Sequence, residues 1–204
     1  MKTSVIALSL FSAVAFALPE AHGGWGDHGG DKGWGWNKGD WKGNKGKGSD
    51  YWKFTSTYSV KATPDQVVNG TTPTGGQPGA CGTYEFALNS KKNLICYNIR
   101  LTNFGDAAYQ SPADTATHIH EAARGQSGPP RIAFPNPAYE GSPEERVSIG
   151  CLQGPFQTGV INNATGEDTG KGFNVAQIEA NPAAFFADVH TNKAVPGAVR
   201  GQIA

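Results

Sequence analysis

The segment that decides the fold runs from Thr83 to Leu101 and reads TYEFALNSKKNLICYNIRL. Both of its ends are rich in aromatic and β-branched residues, and a polar run, Asn89 to Asn93, separates them. Such residues favour strands, and a short polar connection between two strand-like runs is typical of a hairpin. The segment therefore predicts two antiparallel strands joined by a five-residue turn.

Similar strand-like runs lie on both sides of this hairpin, separated by segments rich in glycine and proline. They are 51–61, 115–121, 131–134, 147–152, 157–161, 185–191 and 198–203, the last two joined across Pro196-Gly197. The spacing of Val175 and Ile178 after the candidate N-cap Asn174 predicts one short helix, which Pro182 limits. We therefore expect residues 51–204 to form one all-β domain, an antiparallel, Greek-key-like β-sandwich or barrel with one short helix.

The N-terminal part of the chain has a different composition. Residues 1–17 have the features of a secretory signal peptide: Lys2, an apolar run and the small-x-small site Ala15-Phe16-Ala17. Residues 18–50 are so rich in glycine that regular structure is entropically costly, which predicts a disordered tail. This tail contains four of the five tryptophans: Trp25, Trp34, Trp36 and Trp41. They indicate either a surface-binding tail, for cell-wall polysaccharide or extracellular matrix, or a solvated spacer.

The charge balance excludes some classes of partner. The chain has 17 basic and 17 acidic residues, so no one-sided charge favours nucleic acid or an anionic membrane. The apolar run of the signal peptide is too short to span a bilayer, and no membrane insertion is predicted. We expect a secreted protein that is extracellular or located in the cell wall.

The cysteines and two sequons agree with an extracellular location. Cys81, Cys96 and Cys151 permit three pairings in an oxidising compartment. We favour Cys96–Cys151, because both lie in apolar strand-like runs, whereas Cys81 ends a Gly/Pro-rich loop. Asn69 and Asn163 begin sequons in turn-rich segments, where glycosylation is feasible.

Three histidines form the candidate site. The segment TATHIHE places His118 and His120 on one face of a strand, and His190 lies in a second strand-like segment, FFADVHT. Three imidazoles could hold copper or zinc with one open position. Alternatively, each could hydrogen-bond to the backbone or to neighbouring polar groups at a sheet margin. Separation of the ring nitrogens beyond about 6 Å would exclude a shared metal, because zinc–nitrogen bonds are about 2 Å long.

Other polar residues near these histidines are weaker candidates. Glu121 and Asp188 are predicted to point to the opposite face of regular strands, although a carboxylate that orients an imidazole is common at metal sites. Arg200, on the last strand, could pair with an acid or guide an anion, and we expect a structural role.

Five ordered segments carry a family resemblance: ATHIHE (116–121), GPPRIA (128–133), FNVAQI (173–178), FADVHT (186–191) and PGAVRGQI (196–203). From about residue 52 to 204 the chain resembles the CHRD (chordin-type) domain, in the version found in secreted fungal proteins. The resemblance implies an extracellular all-β module with no settled activity. The growth-factor-binding, cysteine-rich modules that accompany it in chordin have no counterpart in this sequence.

The histidine pattern also resembles Cu/Zn superoxide dismutase, another β-sandwich. His118, His120 and His190 would match its His-x-His copper ligands and a later copper ligand. No histidine lies between 120 and 190, so the zinc-site and bridging histidines have no counterparts. Our first expectation is a non-enzymatic secreted module with a binding or structural role. The alternative is a copper- or zinc-binding protein, whose activity, if it is an enzyme, is copper-dependent redox chemistry.

Overall fold

The computed structural model describes residues 53–140 and 144–204. The predicted signal peptide and tail lie outside the described residues. Numbered in chain order, the strands are β1 Ser56–Ala62, β2 Val68–Asn69, β3 Thr72–Pro73, β4 Cys81–Asn89, β5 Leu94–Thr102, β6 Thr117–Glu121, β7 Pro130–Phe134, β8 Ala138–Tyr139, β9 Glu145–Gln153, β10 Ile161–Asn162, β11 Glu167–Asp168, β12 Phe185–Thr191 and β13 Ala194–Gln202. The α-helix is α1, Ala176–Ala180, and short 3-10 helices are Pro64–Gln66, Ser90–Lys92 and Pro182–Ala184.

Two antiparallel sheets make up most of the domain. The first has the strand order β1-β4-β5-β9-β8, and the second has the order β13-β12-β6-β7. The chain passes from the first sheet to the second after β5, returns for β8 and β9, and ends in the second sheet. The pairs β2–β3 and β10–β11 are separate small ladders. The all-β class, with antiparallel sheets and a single short α-helix among the described residues, is confirmed.

The core lies between the two sheets, and the hairpin predicted from Thr83 to Leu101 contributes many of its side chains. On β4, the alternate residues Tyr84, Phe86 and Leu88 are at most 1% exposed. The ring of Phe86 stacks on Phe134 of the second sheet, with the ring centroids 5.7 Å apart. Burying an aromatic side chain of this size contributes about 1.5–3 kcal/mol, so contacts across the core hold the sheets together. The hairpin turn contains the Ser90–Lys92 helix.

The second sheet follows the same alternation, and this positions the histidines. Phe185, Ala187 and Val189 of β12 belong to the core, as does Ile119 of β6. The residues between them therefore face away from the core, on the outer face of the sheet. That face carries both histidines of β6 and the histidine of β12.

Two local predictions were wrong. Residues 157–161 are mostly loop, because the backbone N–H groups of Thr158 and Gly159 donate to the carboxylate of Asp168 instead of to a neighbouring strand. Pro196-Gly197 lies inside β13, since pairing of Thr191 with Ala194 closes the turn earlier in the chain.

The disulfide prediction is confirmed. Cys96 and Cys151 lie directly opposite each other in the β5–β9 register and are bonded, with Cα atoms 3.9 Å apart. Cys81, at the start of β4, is free. Asn69 and Asn163 are both exposed, and glycosylation at these positions stays a prediction. Within the described part of the chain, no helix has the length and apolarity needed to cross a membrane.

Candidate metal centre

Pairing of β6 with β12 brings the two histidine-containing segments together. In their antiparallel register His118 lies opposite Asp188, and His120 lies opposite Phe186. The backbone N–H of His190 donates to the carbonyl of Ala116, which continues the pairing beyond the strand. All three histidines of the domain therefore lie on the outer face of the second sheet.

One nitrogen of each of these histidines converges on the carboxylate of Asp188. His120 Nε2 is 3.2 Å and His118 Nδ1 is 3.6 Å from Asp188 Oδ1. His190 Nε2 is 3.1 Å from Asp188 Oδ2. One candidate ligand atom from each of the four residues lies within 4.8 Å of all the others. This separation is below the limit set above for a shared metal ion.

The expectation that Asp188 points away from the histidines was wrong. Asp188 is two residues from His190, so strand alternation places both side chains on one face. The Asp-x-His spacing carries the same signal as the His-x-His pair and could have identified Asp188 from the sequence. Glu121 directly follows His120 and instead forms an ion pair with Arg131, at 2.7 Å.

The second nitrogen of each histidine is held by a backbone carbonyl. His118 Nε2 donates to Thr115, His120 Nδ1 to Gly128, and His190 Nδ1 to Val195. Each of these hydrogen bonds is 2.8 Å long. Because a carbonyl oxygen only accepts, these nitrogens carry the hydrogen, and in a neutral imidazole the inward nitrogen has a lone pair.

The inward-facing atoms form a cluster of acceptors. Among the described residues, His118 Nδ1, His120 Nε2 and Asp188 Oδ1 are buried and have no hydrogen-bond partner, although they lie at ion-pair distance from one another. A buried polar atom left unsatisfied costs about 1–3 kcal/mol. The arrangement therefore favours a proton or a cation between these atoms.

In the metal-free protein, a proton on His190 provides a positive charge next to the Asp188 carboxylate. Burial alone would lower the pKa of His190, but the Asp188 carboxylate outweighs it and raises the pKa to about 9. Burial would raise the pKa of Asp188, but the charges and hydrogen bonds of the histidines hold it well below its usual range. Burial lowers the pKa of His118. At neutral pH the site therefore contains an Asp188–His190 ion pair, while the neutral imidazole of His118 keeps its lone pair facing the carboxylate.

Arg200 lies beside this cluster and lines the pocket next to it. It is opposite Asp188 in the β12–β13 register and donates to the carbonyls of Ala123 and Gln126. These contacts are those of a structural residue, as the sequence predicted. A pocket of about 160 Å³ lies at this position, and its lining includes His120, Asp188, His190 and Arg200. Three of the four clustered side chains are thus reached from this pocket.

Together, the fold and the cluster define an antiparallel β-sandwich with a buried His/Asp centre. A family model, the CHRD domain, matches residues 58–203, and the chain belongs to this family. Comparisons with curated proteins and with solved structures gave no match. The predicted resemblance to the CHRD domain is confirmed, whereas the fungal type and the dismutase resemblance stay predictions. CHRD domains are extracellular-type modules, and the disulfide fits a secreted protein.

Proposed function

We propose that this protein is an extracellular metal-binding module that holds one copper(II) or zinc ion. His118, His120 and His190 are the nitrogen ligands, and Asp188 is the oxygen ligand. The observation that carries the proposal is the convergence of three backbone-oriented imidazoles on one carboxylate, with candidate ligand atoms within 4.8 Å of one another. A divalent cation accepts electron pairs from all four groups at once, whereas a single proton joins only two of them.

The distances around Asp188 agree with this proposal. Ligand atoms that neighbour each other around a tetrahedral ion with bonds of about 2.0–2.1 Å are about 3.3 Å apart. His120 Nε2 and His118 Nδ1 lie 3.2 and 3.6 Å from Asp188 Oδ1, and His190 Nε2 lies 3.1 Å from the other carboxylate oxygen, Oδ2. The carbonyl partners of the histidines are also the type of outer contact that fixes the tautomer of metal-binding imidazoles.

The donor set limits the kind of metal. Imidazole nitrogens suit zinc and copper, whereas calcium and magnesium require six or more oxygen ligands. In the usual order of affinities copper(II) binds nitrogen sites more tightly than zinc. We therefore expect copper to be preferred when both ions are present. Bound copper would supply one-electron redox chemistry. The protein would hold the ion, and solutes would reach it only through the pocket beside Arg200.

Metal titration of protein expressed through a secretory route tests this proposal. After chelator treatment, the wild type should take up one copper or zinc ion per chain, and His120→Ala should lose this uptake. The matched control is the double variant His22→Ala/His28→Ala, which changes only the histidines of the tail and should bind like the wild type. Negligible uptake by the wild type would contradict the proposal.

Association with a cell wall or matrix is a separate proposal that rests on the tail composition. The tail lies outside the described residues, and its support is the glycine-rich sequence with Trp25, Trp34, Trp36 and Trp41. Retention of the full protein on chitin, glucan or wall preparations should be lost when these four residues are replaced by alanine. Equal retention of the two proteins would count against wall binding by the tail.

A further inference from the structure

We infer that Arg200 is a positioning residue for the metal centre and that it holds the His120 ring in its metal-binding orientation. It acts along two routes, one through the ring of Phe186 and one through the loop of residues 122–128. The inference rests on the proposed metal site and extends it beyond the four candidate ligands.

The first route is a stack of three side chains. The imidazole of His120 lies parallel to the Phe186 ring, with centroids 4.9 Å apart and an interplanar angle of 4°. The guanidinium carbon of Arg200 is 3.4 Å from the centre of the same ring. Since β12 lies between β6 and β13, His120 and Arg200 approach Phe186 from strands on opposite sides. Arg200 thereby fixes the ring against which His120 packs.

The second route runs through the backbone of the 122–128 loop. Arg200 donates to the carbonyl of Gln126 at 2.7 Å and to that of Ala123 at 3.2 Å. The carbonyl of Gly128, at the end of this loop, accepts from His120 Nδ1 at 2.8 Å. The position of the loop therefore determines which His120 nitrogen carries hydrogen, and the other nitrogen, Nε2, is turned toward Asp188.

Lysine cannot replace the arginine on both routes. A guanidinium is planar, stacks on an aromatic ring and presents several N–H groups in a fixed arrangement, whereas an ammonium is a compact point charge. Arg200→Lys keeps the positive charge but loses the guanidinium over the Phe186 ring and at least one carbonyl contact. The substitution therefore separates positioning from charge alone.

Arg146 is the matched control, since it has the same kinds of contact elsewhere in the domain. It is 4% exposed, compared with 3% for Arg200, and its guanidinium carbon is 4.8 Å from the Tyr139 ring centre. It donates to the carbonyls of Gly105 and Ala107. Arg146 lies on β9 of the first sheet, away from the histidine-bearing face of the second. Arg146→Lys should therefore lower stability without affecting His120.

The decisive measurement is the His120 tautomer in the metal-free protein, read from the ring nitrogen shifts in ¹⁵N NMR spectra. In the neutral His120 ring, the wild type and Arg146→Lys should have the hydrogen on Nδ1, and Arg200→Lys should show a mixture of tautomers. In the copper-loaded proteins, Arg200→Lys should weaken copper binding about 10- to 100-fold and change the copper(II) EPR spectrum, while Arg146→Lys should change neither.

These readouts keep the two proposals distinguishable. A single, unchanged His120 tautomer in Arg200→Lys would overturn the inference, whether or not the wild type binds metal. Failure of the wild type to bind copper or zinc would overturn the proposed function. Arg200 could then still position His120, but not for metal binding. If Arg200→Lys does not fold, Phe186→Leu removes the stacked ring but keeps the arginine, and a tautomer mixture is expected there too.

Discussion

The carboxylate Oδ2 of Asp188 lies 3.1 Å from Nε2 of His190, the second residue further along the same strand. Both side chains are largely buried, and the Asp188 carboxylate raises the pKa of His190 to about 9, so the two groups form an ion pair at neutral pH in the metal-free protein. The neighbouring strand adds His118 and His120 to the same face. A metal ion bound as proposed would therefore compete with a proton for one group of atoms, and the proton alone makes the metal-free protein sensitive to pH.

The stability of the metal-free protein should be greatest near pH 6.5 and fall on both sides. The pKa of His190 is about 9 in the folded state, above its ordinary value of 6.5. The stabilisation from its imidazolium is complete below pH 6.5 and is lost as the pH rises through 9, at most about 3 kcal/mol. His118 acts in the opposite sense, because its lowered pKa makes protonation at acid pH favour the unfolded chain. Urea unfolding from pH 5 to 10 after chelator treatment measures this profile.

A comparison with His190→Gln tests whether His190 causes the loss of stability at alkaline pH. His190→Gln should lack it, and a wild-type stability that does not fall between pH 6.5 and 9 would contradict the assignment. Metal binding must also displace the His190 proton, so copper affinity should rise about tenfold per pH unit up to pH 9.

Asp188→Asn removes the negative charge while keeping the shape of the side chain. We expect copper affinity to fall about 10- to 100-fold, and the pKa of His190 to fall below 6.5, because burial then acts without the opposing carboxylate. Chelator competition and NMR titration of His190 measure these effects. Asp168→Asn is the control: Asp168 accepts from the N–H groups of Thr158 and Gly159, so its loss should reduce stability only. A His190 pKa unchanged in Asp188→Asn would show that another group raises it.

Gly128→Ala should weaken both folding and metal binding. A Cβ atom at this position would overlap the carbonyl oxygen of Glu121, so the backbone must move, and with it the carbonyl that orients His120. We expect a loss of about 1–3 kcal/mol in unfolding free energy together with weaker copper binding. Thermal unfolding and chelator competition measure the two effects. Gly166→Ala, in the turn between β10 and β11, meets open space but has a φ of +71°, and it should cost stability without the effect on copper.

Removing the disulfide should destabilise the domain and leave the metal centre intact. Replacing both Cys96 and Cys151 by alanine should cost about 2–5 kcal/mol, because the bond constrains the unfolded chain. The bond joins β5 to β9 in the first sheet, whereas the clustered histidines lie on the second, so copper affinity should not change. Denaturant unfolding with and without reductant measures the cost. Cys81→Ala should be nearly neutral, and a cost as large as that of the double variant would contradict the pairing.

The strands were largely predictable because alternation and β-branched composition are local properties. The hairpin from Thr83 to Leu101 is present with its turn at the expected place. Residues 157–161 have a similar composition but are mostly loop, since the Asp168 carboxylate binds the N–H groups of Thr158 and Gly159. Such competition between a side chain and a neighbouring strand depends on contacts that composition does not describe.

The site was predictable in part for the same reason. The spacing of His118 and His120 placed both on one face, and His190 was identified by its strand-like surroundings. Asp188 was assigned to the wrong face, although its spacing from His190 contains the correct answer. The carbonyl partners could not be predicted, because Gly128 and Val195 belong to loop and strand segments that only the folded chain brings to the histidines.

The sequence by itself determined the all-β class and the three imidazoles available for a site, whereas the β5–β9 register decided which two of the three cysteines are bonded. Tertiary structure decided that β6 pairs with β12 in the register that sets His118 opposite Asp188. A shift of one residue would have turned these side chains to the other face, and the register depends on packing across the core. Tertiary structure also decided which nitrogen of each ring points inward, because that choice depends on a backbone carbonyl held in place by the rest of the fold.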